Sequence, residues 1–225
     1  PNNMPVAEGL VPRRKFFDGS LHDSPIAIHD TGKPNPGKWH GTPPNFCFAH
    51  PEVQKYLSGL VDTLIAEGLK HPSFKGIALH VTPHNMLTFG SPESGFNDYC
   101  IEEFEKKKGV KVPVSRTDPL RGREYARWIR RSAYREWVDW RCEKVAEFWL
   151  AVADRLSAAR SDLKLFVNAL SIPTKSYRDK VDENDPMFMD RVYREASIDP
   201  ERFRGRDNII LCRTLVPADG RFANW

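Results

Sequence analysis

The sequence has no apolar run approaching the roughly 20 residues that a bilayer-spanning helix needs, so nothing in it reads as a membrane segment. Nor does it open with a basic stretch followed by an apolar one. It starts at Pro1, and a periplasmic or secreted home with the leader already removed is one expectation for its compartment. Cysteine is scarce: Cys47, Cys100, Cys142 and Cys212 form no CxxC pair, which argues against a zinc knuckle and against a small disulfide scaffold. Cys47, between Phe46 and Phe48, reads with Cys142 and Cys212 as a buried reduced thiol packing as a small hydrophobe. A glycine-rich phosphate cradle, a P-loop and a G-x-S-x-G elbow are all missing, so nucleotide chemistry and serine hydrolysis have no support and no cofactor is expected. Charge of one sign is not gathered anywhere. The net charge is only +4, and the densest basic runs, at 106–108 and 127–131, stand next to Glu or Asp, as solvated helix faces do. Nucleic acid is therefore not an expected partner. No repeat of 20 to 50 residues is visible, which excludes a solenoid.

What is present is an alternation of strand and helix signals. Residues 1–45 are rich in Pro, Gly and Asn and read as loop, with brief apolar patches at 25–28 and 45–48 as short strands. His50-Pro51-Glu52 opens a helix, Pro sitting where its missing N–H costs nothing. Val53, Tyr56, Leu57, Leu60, Val61, Leu64 and Ile65 give that helix an apolar stripe, and Gly68 ends it. The run 76–81 has the length and near-continuous apolarity of a strand buried on both faces, as in a parallel sheet. A long loop follows over 82–96, then a helix over 98–107 stopped by Gly109. Residues 124–159 carry a stripe including Tyr134, Trp137, Val138, Arg141, Val145, Phe148, Trp149, Val152 and Leu156, enough for one bent helix or two. Strands are expected at 163–168 and 208–212, with short helices at 186–195 and 200–203, the second capped by Asp199.

This order calls for parallel strands joined by right-handed crossovers. The expected fold class is α/β, built of (β/α) barrel-type units as an incomplete or partial TIM barrel, with a doubly wound sheet as the competitor. A single domain over 1–225 is the expectation, and the chain can equally be a domain fragment. Several phrases then carry a resemblance: His50-Pro51-Glu52-Val53, Phe74-Lys75-Gly76-Ile77-Ala78-Leu79, Phe96-Asn97-Asp98-Tyr99, and Trp137-Val138-Asp139-Trp140-Arg141. Together they resemble a segment of the TIM-barrel glycoside hydrolases, β-galactosidase-like and related bacterial members. The resemblance implies cleavage of a glycosidic bond in oligosaccharide or polysaccharide by two carboxyl groups. Such families usually place an Asn-Glu pair at the end of a middle strand, where this chain has His84-Asn85-Met86.

The candidate site residues follow from the loop after the 76–81 strand, since ligands bind at the carboxyl ends of strands in such folds. Glu93 and Asp98 are the candidate catalytic carboxyl groups, against the plainer reading of a solvated loop residue and a helix-start residue. His84 and Asn85 suit sugar hydroxyls because each donates and accepts, and Asn168 lies at a strand end. Trp39, Phe89 and Phe96 are candidate stacking rings for a pyranose, while Trp137, Trp140, Phe148 and Trp149 read as sheet cover. A non-catalytic carbohydrate-binding or scaffold domain is the second reading. A metal-dependent barrel hydrolase is the third, resting on His80 and His84 without a third ligand, so no metal site is expected. Asp179, Asp182, Glu183 and Asp185 lack the Gly and terminal Glu of a calcium loop and read as a solvated acidic turn.

Overall fold

The protein was analysed as a computed structural model that describes residues 25–34, 45–82, 86–169, 182 and 184–213. Helix α1 spans Pro51–Gly68. The His50 side chain accepts from the Glu52 N–H at 3.3 Å, and Pro51 occupies the first turn. Val53, Leu57, Val61 and Ile65, four apart, form its buried seam. Leu60 and Leu64, expected on the same stripe, lie outside this narrow seam and are 43% and 51% exposed. Strand β1 is Gly76–His80, β2 is Lys164–Ala169 and β3 is Ile209–Arg213. They form a three-stranded parallel sheet in the order β1-β2-β3. Gly76 opens it at φ 141°, and a Cβ there would meet the Lys164 carbonyl oxygen at 1.8 Å, so this position admits glycine alone.

Helix α2 is Asp98–Lys108, ended by Gly109 in the left-handed region at φ 65°. The long helical stretch resolves into two helices, α3 (Arg121–Ser132) and α4 (Tyr134–Ala159). They part at the single residue Ala133 (φ −151°), which lets Tyr125 and Ile129 of α3 and Trp137 and Trp140 of α4 all reach the interior. Helix α4, about 39 Å long at 1.5 Å per residue, is the spine. It packs on β2 and on α1, α2 and α3, and beyond them on α5 (Phe188–Glu195) and the 3-10 helix Pro200–Phe203. Asp199 caps that 3-10 helix, its carboxylate accepting from the Glu201 N–H at 3.2 Å.

Two expectations need correcting. The patches at 25–28 and 45–48 are not strands but isolated antiparallel bridges, Ile26 with Phe46 and His29 with Ser94 among them. A side chain supplies much of the missing pairing: the buried Asn97 amide accepts from the Ile28 N–H at 3.1 Å and donates to the Ile26 carbonyl. Second, β1 is buried on one face only. Ile77 and Leu79 lie under α1, and Leu165, Val167 and Ala169 continue the buried face on β2, which packs on α4. Ala78 and His80 on the other face are exposed, Phe166 and Asn168 are half-buried, and Ile210 is 39% exposed. Among the described residues, no helix is long and apolar enough to cross a membrane.

Candidate functional site

Because the three strands are parallel, their carboxyl ends share one edge of the sheet. There the register sets His80 beside Asn168 and Asn168 beside Cys212, one polar row across the face that the described helices leave uncovered. The Asn168 carbonyl also accepts from the Val81 N–H at 2.8 Å, which fixes where the chain leaves β1. Beneath it a second row, Ala78, Phe166 and Ile210, forms an apolar floor. A histidine and an amide on neighbouring strands are both side chains that can donate and accept, and they stand over an apolar surface that tolerates the carbon face of a ring.

The loop after β1 is held from behind. Arg141 on α4 is 2% exposed; its guanidinium donates to the Ser91 carbonyl at 2.7 Å and lies 4.8 Å over the Phe89 ring. Phe89 also packs edge-on against Phe48 at 5.8 Å and tilted against Trp140 at 5.4 Å. Phe96 stacks on Trp137 at 5.3 Å. These two rings, expected as sugar platforms, are 3% and 1% exposed, so their faces are taken by the core. The physical reason is that the loop folds back onto the aromatic stripe of α4 instead of standing out from the sheet. Glu93 is half-buried on this loop, and its carbonyl accepts from the Asp30 N–H at 2.8 Å.

Asp98 opens α2 and is 7% exposed. Its carboxylate meets Arg121 Nε at 3.0 Å and accepts from the Tyr125 hydroxyl at 3.0 Å, with Arg116 at 3.7 Å. Burial and this carboxylate push the Tyr125 phenol up to about 12. The arrangement joins α2 to α3. Asn168 thus sits on the sheet edge, Glu93 on the loop and Asp98 under α3, while His84, Asn85 and Trp39 lie outside the described residues, as do Asp179 and Glu183.

A cleft of about 730 Å³ opens beside the first turn of α4, lined by the segment after β2, by α5 and by the 3-10 helix. Its charges are mostly matched: Arg191 meets Asp185 at 2.6 Å, Arg194 pairs with Asp199, and the Tyr134 hydroxyl donates to the buried Glu195. Burial and Glu195 together raise the Tyr134 phenol well above its ordinary range. Sequence reading missed this cleft because its residues come from separate elements. It also took Arg141 for one more stripe residue, although an arginine at an apolar-stripe position was a legible sign of a buried anchor. His80 was weighed only as a metal ligand and Cys212 only as a buried thiol, because only strand register makes them neighbours of Asn168. Among the described residues, no three His, Cys, Asp or Glu side chains gather as a metal site would require.

Fold and sheet edge together define a parallel-strand α/β protein with a polar row at its carboxyl ends. No protein-family model matches the chain, and neither a curated protein nor a solved structure matches it.

Proposed function

We propose that this chain is a barrel-type α/β domain of the glycoside hydrolase kind that holds an oligosaccharide against the carboxyl ends of its strands. The observation that carries the reading is that the described helices cover one side of the sheet, together with the His80–Asn168–Cys212 row on its other face. A doubly wound sheet has helices over both faces, whereas strands of a barrel have helices outside and side chains inside. Sequential strand order β1-β2-β3 supports the same layout. On this reading the uncovered face is a stretch of inner wall, and its polar row stands at the mouth where such folds take ligands. On this reading Asn168 and His80 contact hydroxyl groups, and Glu93 is the carboxyl group carried by the loop that follows β1.

Binding without turnover is the favoured form, and Asp98 is the reason. Hydrolysis needs one carboxyl group that can give up a proton and a second that stays ionised. Asp98 is 7% exposed and its carboxylate is occupied by Arg121 at 3.0 Å and the Tyr125 hydroxyl at 3.0 Å, so it anchors α2 to α3. Glu93 is then the acid to test. Calorimetry with a panel of neutral oligosaccharides should give saturable binding, and Asn168→Ala should weaken it about tenfold, the loss of roughly one good hydrogen bond. Turnover of an aryl-glycoside that Glu93→Gln abolishes would instead establish a hydrolase. Absence of binding by any sugar in the panel would remove the carbohydrate reading.

A further inference from the structure

Two of the four cysteines, separated by 53 residues in sequence, come together in the interior. Cys47 Sγ stands 2.8 Å from Cys100 Sγ. Cys47 lies just after the Phe46 bridge and is 1% exposed; Cys100 is in the first turn of α2 and is fully buried. The backbones beside them are fixed to one another. The Cys47 N–H donates to the Pro25 carbonyl at 2.7 Å and its carbonyl accepts from the His50 N–H at 3.0 Å, while the rings of His50 and Tyr99 pack at 5.6 Å. Cys142, by contrast, directs its thiol at the Arg194 carbonyl at 3.5 Å, and Cys212 lies on β3. A disulfide bond is about 2.05 Å long, so closing the pair takes less than ~1 Å of sulfur movement.

We propose that Cys47 and Cys100 are a cross-linking site, and that a chain folding in an oxidising medium carries a disulfide there. The partner is a small-molecule disulfide such as oxidised glutathione. One cysteine thiolate attacks a glutathione sulfur, breaking the S–S bond of glutathione and forming a mixed disulfide. The second cysteine, as its thiolate, then attacks the protein-bound sulfur, forming the Cys47–Cys100 bond and releasing the second glutathione. Two electrons pass to oxidised glutathione, and the two protons lost by the cysteines end on the two glutathione thiols. Burial sets the timing. It disfavours the Cys100 thiolate, as does the neighbouring Cys47, so exchange belongs to the folding chain, and the finished bond is shielded from reductants. The bond closes a loop containing α1, β1 and the segment that bears Glu93, and tying so long a loop restricts the unfolded chain strongly.

The test starts with the full chain, unfolded and reduced, then refolded in a mixture of reduced and oxidised glutathione. Free thiols are blocked with iodoacetamide under denaturing, non-reducing conditions, and the digest is mapped by mass spectrometry. The expected result is a Cys47 peptide joined to a Cys100 peptide, the mass of two hydrogens lighter than their sum, with Cys142 and Cys212 alkylated. The refolded chain should resist dithiothreitol until denaturant is added, and its thermal midpoint should exceed that of the reduced chain by about 5 to 15 °C. Comparing one wild-type chain in two redox states needs no variant to fold. Cys100→Ala should abolish the difference between states. Alkylation of all four cysteines after oxidative refolding, or a link that involves Cys142 or Cys212, overturns the proposal.

Discussion

At the scale of single residues, buried polar side chains decide how the loop after β1 is placed. Arg141 sits among tryptophans on α4, where a charge is costly unless its hydrogen bonds are made. It meets that cost through the Ser91 carbonyl and the Phe89 ring. Arg141→Met keeps most of the side-chain volume and removes the guanidinium donors, leaving the Ser91 carbonyl with the Ser94 N–H alone. The expected loss is about 2 to 4 kcal/mol in urea unfolding at unchanged slope, with faster amide exchange over 88–97. A loss below about 0.5 kcal/mol, within the range of ordinary surface changes, would show that the loop holds itself. Asn97 works in the same way, substituting a side-chain amide for a strand partner, which is why apolar patches at 25–28 and 45–48 looked like strands in sequence. Alternation of residue types records burial, whereas the identity of the hydrogen-bonding partner is settled by chain segments far away.

At the scale of elements, α1, β1, α2, β2 and β3 were legible because each combines a periodic apolar pattern with a stop or start residue such as Pro51, Gly68 or Gly109. The break at Ala133 was not, since alanine signals helix on every scale and only the demand that both stripes face inward bends the chain there. The end of α5 is a similar case. The Ile198 N–H donates to the Tyr193 carbonyl at 2.9 Å and the Ser197 N–H to the Arg194 carbonyl at 2.8 Å, the double bond pattern of a Schellman motif. Its left-handed position, normally glycine, is Ser197 at φ 69°, buried and with no partner for its hydroxyl among the described residues. Ser197→Gly removes both burdens. The variant should be more stable by about 0.5 to 1 kcal/mol, a rise of roughly 1 to 4 °C in thermal midpoint. An unchanged or lower midpoint would mean that the serine hydroxyl is satisfied in solution.

At the scale of the whole molecule, α4 gathers the helix layer through charge as well as through its tryptophans. Asp139 meets Lys108 of α2 at 2.7 Å, Arg202 of the 3-10 helix at 2.7 Å and Arg194 of α5 at 3.4 Å. Partial burial disfavours its charge, but the hydrogen bonds from Lys108 and Arg202 outweigh that and hold the carboxyl at about 2, below its ordinary 3.8. The sign follows directly: the unfolded chain takes up the proton first as pH falls, so the stabilisation is complete above about pH 4 and disappears as pH drops through about 2. Asp139→Asn should therefore lower the unfolding midpoint at pH 7, with the gap to wild type narrowing below pH 4 and closing near pH 2. Asp162, held low by Arg160 and Lys75, titrates over the same window in both proteins and cancels from the difference. A gap that stays constant from pH 7 to pH 2 would show that Asp139 contributes by packing and that its ion pairs with Lys108, Arg194 and Arg202 add nothing to stability.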